Sequence, residues 1–210
     1  MWPLMLAGGI GGKRLSSYDT APALNSKLTL IPTAILNRFT PMRLSIGMTP
    51  SLRAPIVYST FQGSDDMKQR INRVSGLSSH VNWNGIYESL MRRIAVVGDW
   101  AILHEFGHHV DQSYGAYVDS NLAPLTSREP FVTLWEASRP SIPTYLYGST
   151  NSLEWFAELW TVQLDPAYTG GGGTGSARLF EDLAGGSRAR QDSIRAAFVA
   201  AFPELPAFTY

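Results

Sequence analysis

No cysteine occurs in the 210 residues, so disulfides, thiol nucleophiles and thiolate metal ligands play no part in this chain's fold or chemistry. The redox compartment stays open on that count, because an exported bacterial or virion protein can lack cysteine as readily as a cytosolic one. Charge of one sign is lacking too. Seventeen Lys and Arg face 17 Asp and Glu for a formal net charge of +0, which gives no electrostatic footprint of a nucleic-acid partner. Lysine is scarce beside arginine, a bias that reads as genomic base composition rather than function. No apolar run approaches 18 residues, so no membrane span is expected. No internal repeat is evident, and the glycine run after Tyr168 lacks the Gly-Lys-Ser/Thr ending of a phosphate loop. With 44% hydrophobic residues, the length suits one domain with a real core.

Histidine is also rare, at four in the chain, yet two of the four fall in His104-Glu105-Phe106-Gly107-His108. An H-E-x-x-H run on a helix sets two imidazoles one turn apart on one face with a carboxylate beside them, the core of a zinc hydrolase site. Asp99 is a good N-cap ahead of an apolar stripe at Trp100, Leu103, Phe106 and Val110, and the helix is expected to end between Gln112 and Gly115. Gly107 in its interior costs about 1 kcal/mol relative to Ala, which implies that something packs closely against that turn.

A catalytic zinc takes three protein ligands and keeps one position open, so a third ligand must come from elsewhere. His109 points about 100° away from His108 and reads as a surface or packing residue. His80 lies in a polar stretch and reads as a solvated loop or strand residue. Residues 151–162 offer a better donor. This segment is apolar almost all round and should be a buried helix, with Glu154 and Glu158 as its one charged stripe at i and i+4. Two buried carboxylates are costly unless a cation or strong donors compensate them. Asn151 and Glu154 also fit a helix capping box, which would account for Glu154 alone. A joint assignment accounts for both: Glu154 binds zinc and Glu158 accepts the ring N–H of a ligating histidine. The reverse assignment stays open.

The run His104 to Asp111, with Gly115 and Asp119 beyond it, resembles the zinc helix of the anthrax lethal factor catalytic domain. Tyr147-Gly148, then Thr150-Asn151 and Glu154-Trp155-Phe156-Ala157-Glu158, is similar to the second motif of that family, which the secreted, single-domain Pro-Pro endopeptidases share. The resemblance covers about His104 to Thr161. It departs at His109, where a small residue is expected, and between the two motifs. It implies an α+β, zincin-like metallopeptidase, with a small mixed sheet packed on the H-E-x-x-H helix and on a second, Glu-bearing helix. One Zn²⁺ would be held by His104, His108 and Glu154, with Glu158 beside them. Glu105 would act as general base and Tyr147, seven residues before Glu154, as hydrogen-bond donor to the oxyanion, with Tyr145 as the fallback. The implied activity is zinc-dependent cleavage of an extended peptide or protein. The alternatives are a zincin-fold structural or binding component of a larger assembly, such as a phage particle, and metal-dependent deacylation of a non-peptide substrate.

Along the chain, residues 1–26 read as an irregular arm that docks on a partner or stays disordered, and 27–210 as the single domain. The N-terminus lacks a positive n-region and makes a poor signal peptide, while the resemblance favours a secreted or virion-associated setting over the cytoplasm. Short helices are expected at Pro32 to Phe39 and Ser64 to Val74, and strands at Arg43 to Met48, Pro55 to Phe61 and Arg93 to Val97. Asn84-Gly85 reads as a hairpin turn between Val81 to Trp83 and Ile86-Tyr87. The glycine run 170–175 reads as a mobile connection, and Arg178 to Leu183 and Gln191 to Phe202 as closing helices.

Overall fold

Ile94, Ala95 and Val96 are fully buried, as an uninterrupted apolar run at the centre of a sheet should be. In the computed structural model, which describes residues 26–39, 56–59, 84–89, 92–97, 100–170 and 175–208, they belong to the middle strand of three. The strands are β1 (Ile56–Ser59), β2 (Gly85–Glu88) and β3 (Arg93–Val97), in the order β1-β3-β2. β1 runs parallel to β3 with Ile56 opposite Ile94, and β2 runs antiparallel with Gly85 opposite Val96 and Glu88 opposite Arg93. The sheet is small and mixed, as expected.

The Asn84-Gly85 turn is corrected at Gly85, while Val81 to Trp83, the other side of the expected hairpin, lie outside the described residues. Gly85 is the first residue of β2, and the chain reverses one step later, where Arg92 N–H donates to Ser89 O at 3.3 Å with Arg92 at φ 47°. The glycine is there for space, not for a turn. A Cβ on Gly85 would come within 2.7 Å of Glu105 Cγ and 2.8 Å of Cδ.

Most of the rest of the described residues is helical, chiefly in α1 (Thr33–Phe39), α2 (Ile102–Tyr114), α3 (Phe131–Ser138), α4 (Ser152–Leu164), α5 (Ser176–Leu183) and α6 (Arg188–Ala201). The chain forms two compact units, residues 1–28 with 41–105 and residues 29–40 with 106–210, and the division falls within α2. The first unit holds the sheet. Asp99, His80, the arm, and the expected strand and helix at 43–48 and 64–74 lie outside the described residues, as do 171–174 of the glycine run. α2 begins at Ile102, so Trp100 precedes it and is half exposed, whereas Leu103, Phe106 and Val110 are buried. Among the described residues, no helix is long and apolar enough to cross a membrane.

α4 is the core of the second unit. Every residue from Trp155 to Leu164 is buried, which is what a helix apolar on all sides requires. Phe156 meets Phe131 and Phe198 at ring separations of 5.2 and 4.7 Å, and Trp160 meets Phe202 at 5.1 Å. Burying one such side chain stabilises the fold by about 1.5–3 kcal/mol, so α4 is held from several directions. α2 crosses it closely. A Cβ on Gly107 would come within 2.9 Å of Ala157 Cα and 3.2 Å of Trp160 Cδ1, the close packing that a glycine inside this helix implied. This backbone-to-backbone approach sets the residue after Gly107 beside the first turn of α4.

His109 is a packing residue, fully buried, with Nε2 2.6 Å from Phe39 O and its ring edge-on to Phe39 and Phe106. Asp111, two residues further on, is fully buried as well. It accepts hydrogen bonds from Thr126 N–H at 2.8 Å and Thr126 Oγ1 at 3.1 Å, tying α2 to the 3₁₀ turn Leu125–Ser127. Burial pushes its carboxyl up to about 6, against the opposing pull of the two Thr126 hydrogen bonds. A carboxyl raised in the folded state stabilises the fold below its unfolded value near 4, and that contribution is lost as pH rises through 6. Asp111→Asn removes the charge, keeps the bond from Thr126 N–H and reverses the other, with the amide N–H donating to Thr126 Oγ1. Metal-free Asp111→Asn is therefore expected to gain on the native chain, by on the order of 2–3 kcal/mol, as pH rises from 4 to 7. Urea midpoints at the two ends of that range measure the difference, and a gap independent of pH would contradict it.

Candidate metal centre

Two helices supply the site. On α2, His104 and His108 stand one turn apart and are both buried. On α4, Asn151 is the N-cap: its side chain accepts from Leu153 N–H at 2.9 Å and from Glu154 N–H at 3.0 Å. The asparagine half of the capping box is thus formed, and it fixes the backbone at Glu154. The carboxylate itself goes to histidine, with Glu154 Oε2 3.2 Å from His108 Nε2. The capping and ligand readings of Asn151-x-x-Glu154 are therefore compatible.

One ligand atom each from His104, His108 and Glu154 lies within 4.8 Å of the other two. Bonds of about 2.0–2.2 Å at a tetrahedral ion put neighbouring ligand atoms about 3.3 Å apart, so the 3.2 Å separation of Glu154 from His108 matches one edge of such a site. Two neutral imidazoles and one carboxylate are a donor set suited to zinc, and three protein donors leave a fourth position for water or substrate. The residues present fit the metal that the sequence implies.

Glu105, the next residue round α2 from His104, is buried, with its carboxylate against Gly85 of β2. The sequence pattern around Gly85 gave no sign of this relationship, because an Asn-Gly pair carries the signature of a turn whatever packs on it.

Tyr147 opens the 3₁₀ turn Tyr147–Ser149 just ahead of α4, with its side chain 56% exposed, and Tyr145 is 73% exposed. Leu146 between them is buried, and Ser149 Oγ donates to Leu146 O at 2.7 Å, so the segment carrying both tyrosines is tied down. Glu158, one turn beyond Glu154, is buried and accepts a hydrogen bond from Tyr168 at 2.7 Å. No signal in the sequence singled out Tyr168. Compared with known proteins, the chain matches no family model and no curated sequence.

Proposed function

We propose that this chain is a zinc-dependent endopeptidase with a zincin-like fold, of the lethal factor and Pro-Pro endopeptidase type, acting on extended peptide segments of proteins. The observation that carries the reading is the convergence of His104, His108 and Glu154 ligand atoms within 4.8 Å, with a buried Glu105 adjacent to the first of them. When bound there, zinc would polarise the scissile carbonyl and lower the pKa of a water molecule at the open position.

The remaining steps belong to this chain's own groups. The Glu105 carboxylate takes the proton of the attacking water and passes it to the leaving amine. It is kept at its post by burial and by the bare Cα of Gly85. The Tyr147 hydroxyl donates to the oxygen on which negative charge develops, an interaction made mainly in the transition state. Glu158 orients a ligating imidazole through its ring N–H.

Tyr147→Phe tests this reading kinetically. An oxyanion donor is worth about 2.7–4 kcal/mol, so kcat on a fluorogenic peptide is expected to fall about 10²- to 10³-fold with KM little changed. Tyr145→Phe is expected to keep native kinetics. The opposite pattern would mean that the seven-residue spacing to Glu154 misassigns the donor. Gly85→Ala should also slow turnover, by about 10²-fold, because the new methyl displaces the Glu105 carboxylate without touching a ligand. Its zinc content should remain native. Zinc loss on Gly85→Ala, or native turnover, would show that the contact does not position the base.

A further inference from the structure

The segment that follows α4 turns back onto the same helix. Asp165 ends α4 with its N–H still bonded to Thr161 O at 2.9 Å, and it then organises the reversal. Its carboxylate accepts from Ala167 N–H at 3.0 Å and its carbonyl from Tyr168 N–H at 3.0 Å. That turn swings the Tyr168 side chain under α4, where the hydroxyl donates to Glu158 Oε1 at 2.7 Å. Gly170 follows at φ +56°, and a Cβ there would lie 3.1 Å from Glu158 Oε2 and 2.6 Å from Leu179 Cδ2. Ser176 Oγ donates to Pro166 O at 3.1 Å, fastening the start of α5 to the same turn. One short strap therefore binds one oxygen of a carboxylate that is 3% exposed and leaves little room for a Cβ beside the other.

This is more construction than a loop needs to close. A carboxylate bound by a hydroxyl at this distance makes a charge-assisted hydrogen bond, and the bond selects one orientation of the group. The carboxylate in question lies on the face of α4 that carries Glu154, one turn further on. Groups that orient a metal ligand act by their direction as much as by their charge, and their removal typically costs 10–100-fold in metal affinity.

We propose that Tyr168 is a positioning residue of the metal centre, holding the Glu158 carboxylate in the orientation that steadies a ligating imidazole. The inference rests on the zinc reading of His104, His108 and Glu154 and on the imidazole-orienting role of Glu158 proposed above. Tyr168 touches neither metal nor substrate and acts through Glu158 alone.

The test is a set of zinc dissociation constants, measured by competition with a chromophoric chelator, for the native chain, Tyr168→Phe, Glu158→Gln and the double variant, with the unfolding temperature of each metal-free form. Tyr168→Phe is expected to weaken zinc binding about 10- to 100-fold while leaving the metal-free unfolding temperature close to native. Glu158→Gln should weaken it at least as much. The double variant should be no worse than Glu158→Gln, because both changes break one chain of contacts. A tyrosine that only closed the loop would lower the unfolding temperature and leave zinc affinity unchanged, which would overturn the proposal. Native affinity in Glu158→Gln, or losses that simply multiply in the double variant, would overturn it as well. If the native chain binds zinc tightly and Tyr168→Phe does too, the positioning role alone fails. If the native chain binds no zinc, the reading of the site fails first.

Discussion

Glu105→Gln is expected to keep the fold and the zinc and to lose peptide hydrolysis by about 10²- to 10⁴-fold, the range of a general acid–base group. The substitution is nearly isosteric, which matters because the side chain is buried and its Cγ has no spare room beside Gly85. Gln fills the same volume and retains a hydrogen-bonding end. What it loses is the capacity to take a proton from water and return it to the leaving amine. Since Glu105 is not a ligand in this account, zinc content measured by mass spectrometry should equal that of the native chain. Lost zinc in Glu105→Gln would move this residue into the ligand set, and unchanged hydrolysis would remove it from the mechanism.

Glu154→Ala should have the larger effect on the metal. It removes one of three protein donors and leaves two imidazoles one turn apart on α2, so zinc affinity is expected to fall by more than about 100-fold, beyond what a supporting residue costs. The fold should tolerate the change. Asn151 caps α4 through the Glu154 backbone N–H, which alanine keeps, and the helix is anchored by Trp155, Phe156 and Trp160. Glu158→Ala is the comparison: it should retain zinc at millimolar metal with weakened affinity. Native zinc occupancy in Glu154→Ala together with loss in Glu158→Ala would show that the two carboxylates have been assigned in reverse. The 3.2 Å approach of Glu154 to His108 argues against that outcome.

Much of this site was legible in the sequence because its residues are out of character with their surroundings. A helix apolar on all sides has no structural use for two carboxylates at i and i+4, and a glycine inside a helix carries a cost that something must offset. Both anomalies led to the crossing of α2 and α4, where Gly107 meets Ala157 and His108 meets Glu154. β3 was legible for a related reason, since only a central strand buries so unbroken an apolar run. The parts that escaped depend on partners remote in sequence. Gly85 was read as a turn because local chemistry favours Asn-Gly turns, while the pressure that requires a glycine there comes from Glu105, twenty residues on. Tyr168 sits in an aperiodic stretch between α4 and the glycine run, where neither apolar period nor capping pattern assigns a side chain a direction. His109 left two readings open, surface or packing, and burial against Phe39 and Phe106 selects packing.

The central claim is that this metal centre cleaves peptide bonds, and one measurement addresses it most directly: mass-spectrometric profiling of a mixed peptide library incubated with the zinc-loaded native chain, with Glu105→Gln and with a chelator as controls. The account predicts a defined set of cleavage sites produced by the native chain and abolished both by Glu105→Gln and by chelation. A zinc-loaded native chain that leaves every peptide intact would contradict it and would point to a zincin-like fold serving a structural or binding role in a larger assembly.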